Sequence, residues 1–445
     1  MNLEIDLQKR EAAGLPIRVG MVGAGACGRS IALQLGTPVP GIRLVGIANR
    51  TLAHAERAFR EACTPEWRRT DSVKEAETLI GKRIPVLTNE PSVLTSCEAI
   101  DLIVEVTGTI APAARVVLDA FKHGKHVVLV NAELDSLLGP ILKVKADKAG
   151  LVITHTDGDE PGVAMSLLRY LRSVGLRPVA AGNLKGMVDY YRTPDTQRIF
   201  AKKHGLNAKK VTSFADATKL SMEATVLANA TGFHVGRRGM YGPACENVRE
   251  MAKLLPADGM LSTGLVDYAL GAAPHTGAFV IVHESSPLKM AQLAYYKLGA
   301  GPFYVFYTPF HLPHVQIAST IGRAVIDCDP TVAPLDGPVC EVVAVAKRDL
   351  KRGERLDGIG GFCTYGLIEN ATAAREMDAL PMGLSEGCVL RRNLGKDAVV
   401  LFDDIETPAS GLAEELWREQ NETWPVRTQE AEKHSMQPVA VGEKR

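Results

Sequence analysis

Short apolar runs alternate with amphipathic segments of helical length over the N-terminal part of the chain. The apolar runs lie at 17–22, 42–48, 101–106, 126–130 and 151–155, and the helical segments include 52–63 and 112–123. Strands that alternate with helices of this length predict a parallel sheet with crossover helices, which is an α/β fold. Residues 1–155 are therefore predicted to form a first domain, with the charge-rich segment 65–85 as an elaborated loop.

From residue 156 to about 330 the pattern is mixed, with fewer clean alternations. Strands are predicted at 177–182, 277–283 and 302–307, and helices at 214–230 and 313–327. This mixed pattern predicts a second, α+β domain that binds the substrate. The last of these helices is expected to pack back on the first domain.

The C-terminal part of the chain is rich in glycine and in short apolar runs. Residues 331–407 are predicted to form a small β-rich domain. A helix is predicted at 408–419, with Thr407 as its N-cap. The remainder of segment 408–445 is a polar tail, which is expected to be disordered from about Thr428.

Composition narrows the class of protein. Lys and Arg together number 51, as do Asp and Glu, so the chain has no net attraction for nucleic acid or for an anionic membrane. No window approaches the ~18 apolar residues of a membrane span. The eight cysteines form no Cys-x-x-Cys pair, which argues against a disulfide framework or a zinc site. The first residues lack the apolar core of a signal peptide, so we expect a cytoplasmic protein.

The first apolar run leads directly into a glycine-rich turn that opens a helical segment. In this setting the first glycine allows a tight turn, the second lets the backbone approach a pyrophosphate, and the third lets helix and strand pack closely. The phosphates would lie at the positive end of the helix. We therefore predict a Rossmann-type dinucleotide-binding domain with cofactor contacts at Gly23, Gly25, Ala26, Cys27 and Gly28. The alternative is a glycine turn that opens an ordinary helix.

Polar residues at the ends of three predicted strands refine this prediction. The second strand ends in Asn49 and Arg50. An acidic residue there would bind a ribose hydroxyl, whereas an arginine suits the additional phosphate of NADP. Two further strands end in residues that would flank the nicotinamide, namely Thr107, Gly108, Asn131 and Glu133. The expected cofactor is NADPH.

Lysines and carboxylates in the second domain are the candidate catalytic residues. Asp216, Lys219 and Glu223 have spacings of three and four, which place them on one stripe of the helix predicted at 214–230. The alternatives are an exposed ion-pair ladder and a group that transfers protons and orients a polar substrate. Lys185 follows a predicted strand, where α/β enzymes place catalytic groups, although most such lysines lie at the surface.

Other polar residues are candidates for binding metal or substrate. An acidic turn follows the last apolar run of the first domain, and Asp159 and Glu160 in it could bind Mg²⁺ or Mn²⁺. Asp and Gly are also ordinary turn residues, so a turn without a metal is the alternative. Arg237, Arg238 and His311 are candidate contacts for a substrate phosphate.

The motifs together resemble the homoserine dehydrogenase-like family, in particular its branch with a C-terminal SAF-type domain. Besides the glycine turn, the resemblance is carried by segments 105–108, 128–133, 158–162, 182–186, 216–232, 304–314 and 345–361. It covers nearly the whole chain. The resemblance implies a Rossmann-type domain, an α+β catalytic domain, a SAF-like domain and a homodimer or larger homo-oligomer.

Within that branch the best-defined activity is that of 1-deoxy-D-xylulose 5-phosphate reductoisomerase-like enzymes. It implies NADPH-dependent conversion of this phosphorylated sugar to 2-C-methyl-D-erythritol 4-phosphate, a step toward isoprenoids. Lys219 and Lys185 would polarise the carbonyl and transfer protons, while Asp216 and Glu223 would orient them or bind hydroxyls. The alternatives are another NAD(P)-dependent dehydrogenase, acting on a polyhydroxy acid or homoserine, and a non-catalytic NADP-binding sensor.

Two departures from homoserine dehydrogenases bear on this choice. Those enzymes use a lysine at the position that matches Glu133, which places homoserine oxidation in doubt. The spacing from Asp216 to Lys219 is also one residue shorter than in those enzymes, so the roles on this helix transfer only approximately.

Overall fold

The computed structural model describes residues 2–37, 39–408 and 410–426. The strands are β1 (Ile17–Val22), β2 (Ile42–Ala48), β3 (Arg68–Arg69), β4 (Val86–Thr88), β5 (Leu102–Glu105), β6 (His126–Leu129), β7 (Ile153–His155), β8 (Arg177–Lys185), β9 (Leu265–Leu270), β10 (Ala278–His283), β11 (Phe303–Thr308), β12 (Cys340–Ala346), β13 (Thr364–Asn370), β14 (Val389–Leu390) and β15 (Ile405–Glu406). The helices are α1 (Leu3–Ala12), α2 (Ala26–Gly36), α3 (Leu52–Glu61), α4 (Val73–Gly81), α5 (Pro91–Ser96), α6 (Ala111–Lys122), α7 (Ala132–Lys148), α8 (Glu160–Ser173), α9 (Pro194–His204), α10 (Ala208–Ala215), α11 (Thr218–Thr231), α12 (Met251–Leu254), α13 (Ala257–Ser262), α14 (Pro287–Tyr295), α15 (Pro313–Gly322), α16 (Ala371–Glu376) and α17 (Leu412–Thr423).

The first sheet has the strand order β3-β4-β2-β1-β5-β6-β7, and its strands are parallel. Helices cover both faces, which explains why its strands are apolar runs rather than alternating ones. The strand order reverses beside β1, the point where open α/β sheets bind ligands at the carboxyl ends of their strands. The predicted α/β class with a Rossmann-type domain is confirmed.

The prediction of a loop at 65–85 is wrong. This segment contains β3 and α4 and leads into β4, and the two strands form one edge of the first sheet. Arg68 and Arg69 in β3 are exposed, so no apolar run marks the strand. Backbone pairing with β4, rather than burial of side chains, places it in the sheet.

The second sheet has the order β11-β10-β8-β9 and is mixed. β8 pairs with β9 in parallel and with β10 antiparallel. Helices α8 and α11 pack together beside it. Because β7 leads directly into α8, the carboxyl edge of the first sheet lies next to residues of the second domain.

The single helix predicted at 214–230 is wrong. The structure has α10 and α11 instead, separated by Asp216 and Ala217. Ala217 has the left-handed φ of 71°, a conformation that ends a helix and that residues with a Cβ rarely adopt. Asp216 therefore does not share a helical stripe with Lys219.

The C-terminal β-rich module packs on the catalytic domain. Strands β12 and β13 contact α11, and both regions contribute to one apolar core. Helix α15 continues as a π-helical turn (Arg323–Asp327) and packs against α2 of the first domain. None of the described helices is long and apolar enough to cross a membrane.

The C-terminal helix starts later than predicted. It is α17, with Gly411 rather than Thr407 as its N-cap, and it packs on α6 and α7. Its buried Gln420 contacts α7 beside Pro140, a residue inside the helix that lacks the N–H for one helical hydrogen bond. Gln420 accepts from Ile141 N at 3.2 Å and donates to Leu137 O at 3.1 Å. The predicted disorder from Thr428 lies outside the described residues.

Candidate functional site

The three glycines of the first turn occupy different environments. Gly23 has a φ of +112°, and a Cβ there would lie 2.9 Å from the backbone of Val106. A Cβ on Gly28 would lie 2.5 Å from Gly23 O, whereas one on Gly25 would meet no atom within 4 Å. Only Gly25 thus faces open space at the N-terminus of α2. This arrangement fits a pyrophosphate that approaches the backbone of this residue.

The end of β2 fixes the glycine turn and places Arg50 beside it. Asn49 Oδ1 accepts from Ala24 N at 2.9 Å, and Asn49 Nδ2 donates to Thr51 O at 2.7 Å. The side chain of Arg50 is exposed. Asn49 is therefore occupied in holding the turn, while Arg50 can reach a bound ligand.

Glu105, which sequence reasoning did not select, links the ends of β5 and β6. Its carboxylate accepts from Thr107 N at 2.9 Å and from Asn131 Nδ2 at 2.6 Å. Asn131 in turn accepts from Leu134 N and caps α7. Burial raises the pKa of Glu105 to about 7. An acidic residue at the end of a wholly apolar strand is the signal that could have identified it.

The raised pKa of Glu105 predicts a pH-dependent loss of stability. The unfolded chain releases this proton near pH 4.5 and the folded chain near pH 7. The contribution of Glu105 to the free energy of unfolding is therefore complete below pH 4.5. This contribution, about 3 kcal/mol in total, is lost as the pH rises through 7. We expect Glu105→Gln to lose less melting temperature than the parent protein between pH 5 and 8. Parallel melting curves would contradict this.

Lys219 lies in the first turn of α11 and meets the first turn of α7. Its Nζ is 3.3 Å from Glu133 Oε2, and its side chain is 15% exposed. Burial favours the neutral amine, but the carboxylates of Glu133, Asp159 and Glu223 outweigh it and raise the pKa of Lys219. The side chain is therefore an ammonium at neutral pH, which can donate a proton or a hydrogen bond to a ligand.

Lys185 forms a second lysine–carboxylate group at the end of β8. Its Nζ donates to Glu160 Oε1 at 2.6 Å and to Glu223 Oε2 at 3.2 Å. Asn183 Nδ2 also donates to Glu223, at 3.2 Å. Burial, with the charge of Glu160, raises the pKa of Glu223 to about 8. Because Glu223 lies one helical turn from Lys219, the two lysines border the same site.

His155, at the end of β7, holds Asp159 in place and was also missed by sequence reasoning. Its Nδ1 donates to Asp135 at 3.1 Å and its Nε2 to Asp159 at 2.9 Å. Burial opposes the imidazolium, but the two carboxylates raise the pKa of His155 to about 9. Nothing in the apolar run distinguishes this histidine from an ordinary strand residue.

The acidic turn is completed by a distant histidine. Ligand atoms of Asp159, Glu160 and His311 all lie within 4.8 Å of one another. His311 Nδ1 is 3.0 Å from Thr276 Oγ1, and its Nε2 is 3.6 Å from Glu160 Oε2. The structure thus brings His311 to carboxylates, although the sequence grouped it with phosphate contacts.

The lysine cluster consists of Lys185, Lys219, His155 and the carboxylates that contact them. The predicted cofactor-binding residues adjoin it. Cys27, in the first turn of α2, is close enough to Asp159 and Lys219 for their charges to act on its thiol, whose pKa burial raises to about 11. Lys210 Nζ, from α10, donates to Thr107 O at 3.2 Å and lies over Gly108. A ligand that extends from the glycine turn along these residues would reach Lys219.

Three family models match successive parts of the chain. Residues 23–153 match "Homoserine dehydrogenase, NAD binding domain", 158–317 match "Oxidoreductase DRL, catalytic domain", and 341–406 match "SAF domain". The chain belongs to the DRL-type, SAF-containing branch of the homoserine dehydrogenase-like family. It is an oxidoreductase with a nicotinamide dinucleotide-binding domain.

Solved structures resemble the chain only remotely. A probable dehydrogenase from Thermotoga maritima is 11% identical, with 72% of this chain and 91% of that chain covered and a TM-score of 0.43. A homoserine dehydrogenase from Thiobacillus denitrificans is 15% identical, with 76% and 83% covered and a TM-score of 0.37. A scyllo-inositol dehydrogenase from Lactobacillus casei is 13% identical, with 60% and 73% covered and a TM-score of 0.35. No curated protein matches the chain.

Three predicted site residues lie away from the lysine cluster, namely Asp216, Arg237 and Arg238. Asp216 is fully buried against Lys347 at 2.8 Å, so it cannot touch a substrate in this arrangement. Arg237 donates to backbone carbonyls and Arg238 pairs with Glu369 at 2.9 Å. Both arginines follow the carboxyl end of α11, about 20 Å from its first turn. The structure therefore does not bring Arg237 and Arg238 to the lysines, and tertiary partners already use their guanidinium groups. Their phosphate contact stays a prediction.

Proposed function

We propose that the chain is an NADPH-dependent reductoisomerase that converts 1-deoxy-D-xylulose 5-phosphate to 2-C-methyl-D-erythritol 4-phosphate. The observation that carries this proposal is the buried Lys219 ammonium, held by Glu133 at 3.3 Å beside the glycine turn. A ketose that rearranges and is then reduced needs a proton donor at its carbonyl oxygen, next to a hydride source. The bound nicotinamide would supply the hydride.

Lys219 and Lys185 are proposed to contact different oxygen atoms of the substrate. Lys219 donates to the carbonyl oxygen. Lys185, whose pKa is raised against the effect of burial by the carboxylates of Glu160 and Glu223, donates a hydrogen bond to a neighbouring substrate oxygen. Glu223, which already accepts from Lys185, orients that amine and binds a substrate hydroxyl. His155 keeps Asp159 ionised and in place, since its hydrogen bond offsets the burial that disfavours the carboxylate.

The substrate phosphate would bind outside the lysine cluster. The cluster contains more carboxylates than cations even when Glu223 is protonated, because Glu133, Asp135, Asp159 and Glu160 outnumber two lysines and one histidine. A phosphate dianion would be repelled there. The exposed ammonium of Lys210, at the edge of the site, is the phosphate contact that we propose.

The same surplus of negative charge favours one alternative function. A dehydrogenase that acts on homoserine, or on another alcohol derived from an amino acid, would use a carboxylate for the substrate ammonium. The absorbance of NADPH distinguishes the possibilities. Oxidation of NADPH by deoxyxylulose phosphate supports the reductoisomerase, and reduction of NADP⁺ by homoserine or a polyhydroxy acid supports a dehydrogenase. Tight NADPH binding without turnover of any of them would indicate a sensor.

Arg50 is proposed to select NADPH over NADH. Arg50→Ala should weaken NADPH binding roughly 10-fold or more, the effect of losing one charge-assisted contact, and leave NADH binding nearly unchanged. Quenching of protein fluorescence by each cofactor measures both affinities. Arg57→Ala, which removes another exposed arginine that pairs with Glu61, is the control. Equal losses for the two cofactors would mean that Arg50 does not contact the 2′-phosphate.

Asp159, Glu160 and His311 are proposed to bind a divalent cation. Their oxygen and nitrogen atoms are close enough to share one ion, and a set that includes imidazole suits Mn²⁺ better than Mg²⁺. The contact with Thr276 directs His311 Nε2 toward the site. Mn²⁺ should raise the melting temperature of the parent protein but not of His311→Ala. An equal rise of the melting temperature in both proteins, or no rise in either, would contradict a cation site at these residues.

A further inference from the structure

Lys347 is a buried lysine of the SAF-like module that lies outside the proposed site. It follows β12, and its side chain is 2% exposed. Its Nζ donates to Asp216 Oδ2 at 2.8 Å, to Arg192 O at 2.7 Å and to Gly361 O at 2.8 Å. An ammonium has three N–H donors, so this one is fully used. Lys347 therefore joins the SAF-like module to two segments of the catalytic domain, at Arg192 and Asp216. Its third bond, to Gly361, lies within the module.

The Asp216 carboxylate also contacts the first residue of α11. Its Oδ1 accepts from Thr218 N at 3.0 Å, the first residue of that helix. Thr218 Oγ1 accepts from Gly366 N of β13 at 2.9 Å. The first turn of α11 is thus held by the SAF-like module through two routes, and Lys219 is the next residue along.

The backbone between α10 and α11 needs such support. Ala217 has a left-handed φ of 71°, which costs a residue with a Cβ roughly 1 kcal/mol or more and persists only where surrounding contacts impose it. Buried ion pairs contribute little net stability, because desolvation offsets their attraction. The pair is therefore expected to contribute little to the free energy of unfolding, which leaves a geometric role for Lys347 and Asp216.

We propose that Lys347 is a positioning residue, through which the SAF-like module fixes the turn at Asp216 and Ala217 and so directs Lys219 toward Glu133 and the substrate. The proposal rests on the role of Lys219 in the proposed function. A displacement of about 1 Å at a reacting group can lower turnover by up to about 100-fold. Loss of the pair should therefore lower kcat without weakening cofactor binding.

The test uses the full chain with both charges removed, as Lys347→Met with Asp216→Asn, so that no buried charge is left unpaired. The matched control is Arg348→Met, since Arg348 is the next residue but pairs with Glu354 at the surface. We expect kcat of the double variant to fall about 10-fold or more, with KM and the NADPH Kd within about twofold. We also expect faster amide hydrogen exchange at 218–222, while the control matches the parent protein in each measurement.

Unchanged exchange at 218–222 in the double variant would overturn the link from Lys347 to α11. Faster exchange with an unchanged kcat would overturn the positioning of Lys219. Should the double variant not fold, Thr218→Val removes the acceptor for Gly366 N and is judged by the same measurements. If the parent protein turns over none of the substrates, the proposed function fails, while hydrogen exchange still tests the link to α11.

Discussion

Replacing Lys219 with methionine should lower turnover by about 100-fold or more and leave the NADPH Kd nearly unchanged. The loss is that of one acid–base group, and the ammonium is proposed to contact the substrate rather than the phosphates of the cofactor. Steady-state kinetics with the substrate identified by the absorbance assay, together with a fluorescence titration of NADPH, measure the two effects separately.

Two further variants keep this result interpretable. Lys219→Met leaves Glu133 as a buried, unpaired carboxylate, which could destabilise the protein. Combining it with Glu133→Gln removes that charge, and the double variant should fold and remain inactive. Lys202→Met, on the exposed surface of α9, should behave as the parent protein. A near-native rate for either Lys219 variant would exclude this lysine from the reaction.

Replacing Gly25 with valine should raise the NADPH Kd roughly 100-fold or more without lowering the melting temperature. A Cβ at Gly25 would meet no protein atom within 4 Å, so we expect the fold to accept a side chain there. The same side chain would occupy the space through which a pyrophosphate approaches the N-terminus of α2, and excluding that contact removes about 3 kcal/mol of binding or more.

Other glycines supply the controls for this second experiment. A Cβ on Gly81 at the end of α4 also meets nothing within 4 Å, so Gly81→Val should change neither stability nor binding. A Cβ on Gly28 would lie 2.5 Å from Gly23 O, so Gly28→Ala should lower the melting temperature. If Gly25→Val binds NADPH as tightly as the parent protein, the glycine turn does not hold the cofactor phosphates.

The first sheet was predictable because burial leaves a mark on the sequence. Strands covered on both faces become apolar runs, and the glycine turn has a spacing that a dinucleotide requires. Strand β3 leaves no such mark, since its two arginines are exposed at the sheet edge. The break between α10 and α11 was unpredictable for a different reason. The left-handed Ala217 lies between Asp216 and Thr218, whose partners Lys347 and Gly366 lie far along the chain.

The candidate site was predictable only in its residue types. Helical spacing suggested Asp216 as the partner of Lys219, but the actual partner is Glu133, 86 residues away in the chain. Lys185 and Glu160 likewise meet across a tertiary contact. Local periodicity cannot reveal such pairs, since they depend on where β8, α7 and α11 converge. His155 was missed because a buried histidine at a strand end has no distinguishing neighbour in sequence.

The two hydrogen bonds between Gln420 and α7 limit how far the chain can be shortened at its C-terminal side. A fragment that stops after β15 would keep every residue discussed for cofactor and substrate, yet it would lose the amide of Gln420 that contacts α7 beside Pro140. The helix bearing Glu133 would then lose two hydrogen bonds next to its internal proline. Expression boundaries and C-terminal tags should therefore be placed beyond Thr423, where α17 ends.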